Sequence, residues 1–236
     1  MAPIGTVCMD RNDRYTRRCF LFICSIFFSI SMAMTQTPEI EPIRRNLPAA
    51  DARFANYLSD PMTRLKRLET PWLPEVGIFL ADHLSPERPI RFYLAVGPEN
   101  YARVITGRFD LWEELMLKGE AQIDNLRHAE SFLRTWLEVT ADPSLLSYLI
   151  ASVDEIRFRP HLDEDDEAHR QEVIDKFRGH ITDVQVSNRG RLFKLTCFLM
   201  RGHELQEVSL QLLDNGTVEN LSVEILDRDL PVVYGL

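Results

Sequence analysis

The sequence predicts an α+β fold: helices packed on a curved antiparallel sheet, a meander, in the C-terminal half, and a mostly helical N-terminal half. Three observations carry this. Four strand-like runs, "HITDVQVS", "RLFKLTCFLM", "ELQEVSLQLL" and "TVENLSVEIL", end the chain. Only Asn188-Arg189-Gly190, Arg201-Gly202-His203 and Asp214-Asn215-Gly216 separate them, and links so short join antiparallel neighbours. Ahead of them, Leu126, Ala129, Phe132, Leu133, Trp136 and Leu137 recur at i, i+3, i+4 and i+7, the spacing of an amphipathic helix.

The body divides in order as follows. Residues 34–49 read as a linker, because "TPEIEPIRRNLPA" has three prolines and no periodicity. Residues 50–119 read as a mixed, mainly helical region. "DARFANYL" offers Phe54, Tyr57 and Leu58 at helical spacing, and "MTRLKRLE" offers Met62, Leu65 and Leu68. Pro71 and Pro74 in "TPWLPEV" interrupt them, since proline fits neither a helix interior nor a central strand. "PIRFYLAV" is the one good strand candidate of this region. "PENYARVI" and "FDLWEELMLKG" read as helices, the second ending at Gly119 with Phe109, Trp112, Leu115 and Met116 on its core face.

Residues 120–236 form the better-patterned part. The long helix begins behind Asp124 and Asn125, both natural caps. Leu145, Leu146, Leu149, Ile150 and Val153 suggest a shorter helix, "EIRFRP" a strand by its alternation, and "DEDDEAHRQEVIDKFRGH" a third helix with Ala168, Val173, Ile174 and Phe177 inward. Along the meander, one face takes Phe193, Leu195, Cys197 and Leu199, then Val208, Leu210 and Leu212, then Leu221, Val223 and Ile225. A sheet so patterned covers one face, and the preceding helices are the expected cover. The apolar C-terminus, "LPVVYGL", reads as an edge strand or a partner-docking tail.

This order of long helix, short helix, strand, helix and strand meander, Asp124 to Leu226, resembles the nuclear-transport-factor-two-like α+β cone. A cystatin-like helix-on-sheet fold is the competing resemblance. The cone resemblance implies an apolar pocket between sheet and helices, used in some members for catalysis and in others for binding or dimerisation. Tyr148, Asp154, Arg157, His180 and Cys197 are the polar residues expected nearest such a pocket, where desolvation would shift an acid or imidazole toward general-base chemistry.

The chain has 236 residues and a formal charge of −9. The stretch Met1–Ala33 has four arginines against two aspartates, so the remainder carries −11. That sign repels phosphate backbones, and no basic face interleaved with aromatics is present, so nucleic acid is not an expected partner. Cys8, Cys19 and Cys24 lie in this leader and only Cys197 lies beyond it, so the body has no pair for an internal disulfide.

Residues 1–33 have the layout of a signal peptide. Arg14, Arg17 and Arg18 precede an apolar run, and Ser31 and Ala33 supply small residues before a cut after Ala33. Thr16-Arg17-Arg18-Cys19-Phe20-Leu21 also resembles the twin-arginine signal, with Phe22 in place of the final lysine. The apolar run is shorter than the ~20 residues of a spanning helix, so no stable membrane span is expected after processing. Export from a bacterium, translation from Met34 into the cytoplasm and a retained anchor are the three readings, and the first two give the same body.

No motif for phosphate binding, hydrolase chemistry or zinc occurs. "HLDEDDEAH" has two histidines eight apart, too far for one helical face, and its acids suit the positive end of a helix dipole, so neither a metal nor a cofactor is expected. Asn215-Gly216-Thr217 matches a glycosylation sequon but also the turn chemistry of a hairpin. The functional expectation is a non-catalytic protein that binds a small apolar ligand or a protein partner, a second copy included. A cofactor-independent isomerase or dehydratase using acid–base chemistry, or an assembly or immunity-type partner starting at Met34, are the alternatives.

Overall fold

A computed structural model describes residues 40–48, 51–87 and 89–233. The leader and its cut after Ala33 lie outside the described residues. Residues 37–236 group as one compact unit. The protein is α+β, built from helices and two antiparallel sheets.

The linker region holds a short helix, α1 (Ile40–Asn46), which buries Ile43. Pro42 is tolerated because it falls in the first turn, where a backbone N–H has no helical acceptor. Helix α2 (Ala52–Ser59) forms as its Phe54, Tyr57, Leu58 spacing predicts. The segment 63–104, where helices were expected on either side of the strand "PIRFYLAV", is a four-stranded sheet: β1 (Thr63–Arg67), β2 (Gly77–His83), β3 (Ile90–Val96), which forms where that strand was expected, and β4 (Ala102–Val104), paired in that order.

Each departure has a local cause. In β1 the three-residue spacing of Met62, Leu65 and Leu68 is coincidental, and pairing with β2 decides the conformation. Strand β2, "GIFLADH", is buried on both faces and so lacks the alternation that reveals a strand. Before β4, Glu99 and Asn100 take φ of 53° and 63°, which turns the chain where a helix was expected to begin.

The 3-10 turn Phe109–Leu111 leads into α3 (Trp112–Lys118), which stops at Gly119. Helix α4 (Leu126–Thr140) starts on Asn125, whose side chain accepts the His128 N–H at 2.9 Å. The expected short helix near residue 149 is a strand, β5 (Ser147–Ile150), followed by the 3-10 turn Val153–Glu155. "EIRFRP" makes one bridge, Phe158 to Val232, rather than a strand. Asp163 caps α5 (Glu164–Phe177) by accepting the Asp166 N–H at 2.9 Å. The meander follows as β6 (Gln185–Arg189), β7 (Leu192–Arg201), β8 (Glu204–Leu213) and β9 (Val218–Asp227). Both β5 and β6 pair with β7, which pairs with β8, and β8 with β9.

The second sheet is covered on both faces, where the sequence suggested one. Phe193, Leu195, Cys197 and Leu199 meet Ala129, Phe132, Leu133 and Trp136 of α4 in the largest core. On the opposite face Phe198, Met200 and Leu205 meet Val173, Ile174 and Phe177 of α5. The first sheet contributes Ile78, Tyr93 and Ala95 to the α4 core, and Tyr93 donates its hydroxyl hydrogen to Glu138 of α4 at 2.6 Å. Its other face, with Phe79, Phe92 and Leu94, packs under α1 and α2. Helix α4 therefore serves both sheets, and each of its buried Phe132, Leu133 and Val139 contributes about 1.5–3 kcal/mol.

Candidate functional site

The surface opens where α3 faces the β8–β9 turn. Arg108 grips Asp110 with two hydrogen bonds of 2.8 and 2.7 Å, which close the 3-10 turn and hold the Asp110 carboxyl below its usual range. Trp112, Leu115 and Met116 of α3 then point inward, while Phe109 and Leu117 remain 55% and 80% exposed. Phe109 meets Trp136 edge-on at 5.9 Å between ring centres.

The facing wall is the turn Asp214–Thr217. Arg191 holds Asp214, with Nη2 at 2.8 Å from Oδ1, and this hydrogen-bonded pairing lowers the carboxyl's pKa. Gly216 adopts φ of +81°, and a Cβ there would come within 2.7 Å of the Met116 sulfur. Glycine thus lets turn and helix approach. Between them lies a groove of about 750 Å3, floored by Trp112, Met116 and Val218 and rimmed by Asp110, Glu113 and Glu120.

The apolar surface continues from Val218 along β9. Val223 pairs with Val208 and Ile225 with Gln206, both buried, so β9 turns its odd-numbered apolar residues to the core-facing side of the sheet. Yet Leu221, Val223 and Ile225 are exposed, which corrects the expectation that they fill the core. Helix α4 lies over β5, β6 and β7, and its cover ends short of β9. Among the described residues, nothing pairs with the outer edge of β9.

The residues expected near a cone pocket do not converge on one. Tyr148 and Arg157 do meet: the Arg157 backbone N–H donates to the Tyr148 hydroxyl at 2.9 Å, and the guanidinium sits 4.5 Å over the ring. Burial pushes the Tyr148 phenol up, while that hydrogen bond and the Arg157 charge pull against it. Asp154 is exposed on its 3-10 turn. His180 is also exposed, 3.6 Å from Glu207, with its ring edge against Phe198. Cys197 lies in the α4 core, its thiol pushed up to about 12 by burial. Most of the space between α4 and the sheet is occupied by packed side chains; at its β5 end Tyr148 lines a cavity of about 340 Å3 with Arg134, Leu137, Glu138 and Leu199.

Among the described residues, no three His, Cys, Asp or Glu side chains are grouped to hold a metal. In "HLDEDDEAH", Asp163 caps α5, Asp166 pairs with Arg159, Glu167 with Arg170, and His169 meets Asp227 at 2.9 Å. No described helix is long and apolar enough to cross a membrane. No family model, curated protein or solved structure matches the chain.

What sequence reasoning missed is the exposure of the β9 stripe and of Phe109. Alternation assigns residues to a face, but whether that face is covered depends on where a distant helix ends. The one local signal was composition: Val218–Asp227 interleaves its apolar residues with Glu219, Asn220, Ser222 and Glu224, as a half-solvated strand does.

Proposed function

We propose that this is a non-catalytic binding protein whose uncovered β9 face and adjoining groove receive an apolar partner surface. The observation that carries this reading is the exposure of Leu221, Val223 and Ile225 on the side of the sheet that elsewhere forms the core. Phe109 and Leu117 extend the patch across the groove, and contiguous apolar surface of this kind marks interaction sites on soluble proteins. The groove lining holds no imidazole or thiol, and its carboxylates stand on the rim, which favours holding a ligand over transforming one. The leader supports a location outside the cytoplasm, and a start at Met34 would place the same body inside.

The test is binding of the neutral apolar dye Nile red to the folded full chain, compared with the triple variant Leu221→Ser, Val223→Ser, Ile225→Ser. A severalfold drop in dye emission, with circular dichroism unchanged, is the expected result. Equal emission from the two proteins overturns the reading.

A further inference from the structure

We infer that the occupant of this face is an extended segment of a different protein, apolar and basic at alternate positions, which adds to the outer edge of β9 as a further strand. This rests on the binding reading above and specifies the partner.

A strand edge offers a row of unpaired N–H and C=O groups, and proteins guard such edges with lysine, proline or a covering element. The two sheets treat their edges differently. Strand β1, one edge of the first sheet, carries Arg64, Lys66 and Arg67 in five residues. Strand β9, ten residues long, has no lysine, arginine or proline. From Leu221 to Ile225 it presents about 13 Å of edge at the usual rise per residue. Along that edge the apolar side chains face one way, and an incoming strand aligned on it continues both the ladder and the apolar stripe.

Charge selects the strand. Glu219 and Glu224 on β9, and Glu113 and Glu120 at the groove, form no ion pair among the described residues, whereas Asp227 at the strand's end pairs with His169 and Lys176 of α5. The chain as a whole is at −9. A second copy offering its own β9 would bring acid against acid, and like charges opposed across a ladder are destabilising. A strand with lysine or arginine at alternate positions meets Glu219 and Glu224 on one face and keeps its apolar side on Leu221, Val223 and Ile225 on the other.

The experiment uses two short synthetic peptides, one alternating lysine with valine and one alternating glutamate with valine, titrated into the full chain. Amide hydrogen exchange is followed across β9. The lysine peptide is expected to bind, to slow exchange in β9, and to bind at least about tenfold more tightly than the glutamate peptide at low salt. Val223→Lys, at an exposed position, is expected to remove both binding and protection while circular dichroism stays unchanged. Equal binding of the two peptides, protection outside β9, or sedimentation showing self-association that Val223→Lys abolishes, each overturns the inference. If Nile red emission still depends on the β9 triad while neither peptide binds, this inference falls and the binding reading stands. If the dye emission is also indifferent to the triad, both fall.

Discussion

Val208 and Val223 sit opposite each other across the β8–β9 ladder on the same face of the sheet, yet Val208 is 3% exposed and Val223 48%. Identical side chains in register therefore have different surroundings, because the cover ends between their strands. Val208→Ala is expected to cost about 1–3 kcal/mol, the transfer and cavity terms for two buried methyls. Val223→Ala should stay within about 0.5 kcal/mol. Urea denaturation of the two variants checks the contrast, and equal losses would mean that β9 is buried in solution.

Gly216 links the fold to the groove. Alanine there meets both the left-handed backbone, φ +81°, and the Met116 sulfur. Gly216→Ala is expected to lower stability by about 1 kcal/mol or more. It should also change Nile red emission, because Met116 must move to accommodate the methyl. A variant with wild-type stability and emission would show that turn and helix are not in contact.

Cys197 should be chemically silent in the native protein. With its thiol pushed up to about 12 by burial, the nucleophilic thiolate is scarce at pH 8 and also inaccessible. Of the four cysteines in the chain, one is expected to react with a thiol reagent only after urea unfolds the protein, and tryptic mapping should identify it as Cys197. Prompt labelling of Cys197 in the folded state would contradict the packing of α4 on β7.

Asp183 ties α4 to the start of β6. Its carboxylate accepts the Val184 N–H at 2.7 Å and pairs with Arg134 at 2.8 Å, and both interactions depress its pKa. A depressed acid binds its proton more weakly in the folded state than in the unfolded chain. Its contribution is therefore complete above the unfolded value of about 4 and is lost as pH falls through the folded value. The pair is mostly solvent-exposed, so the amount is about 0.2–1 kcal/mol. Asp183→Asn should lower stability at pH 7 by that amount, and the gap to wild type should narrow as pH falls below about 4. An unchanged gap at low pH would remove the role given to Asp183.

The second half was legible where the signal was local. The Leu126–Leu137 periodicity, the Asn125 cap, the Ala168, Val173, Ile174 and Phe177 pattern, and the short turns at Gly190, Gly202 and Gly216 placed α4, α5 and the meander nearly where they stand. The first half showed only β3 of its sheet, and hid the other strands for physical reasons. Strand β2 is buried on both faces and shows no period, β1 is an edge whose spacing mimics a helix, and β4 follows two residues at positive φ. The candidate site was half visible: the β9 stripe stood out as a face, but its exposure depends on α4, some eighty residues earlier in the sequence.

The placement of α4 between the two sheets also bears on how the molecule comes apart. Phe132 touches Trp72 and Trp112 from the first half, at 5.1 and 5.6 Å between ring centres, and lies in the same core as Leu195 and Leu210 from the second. Loosening either sheet strips one side of a helix that the other sheet needs. Residues 37–236 should thus melt as one cooperative unit, with the calorimetric and van't Hoff enthalpies equal. The β9 edge would then stay intact up to the temperature at which the whole body is lost.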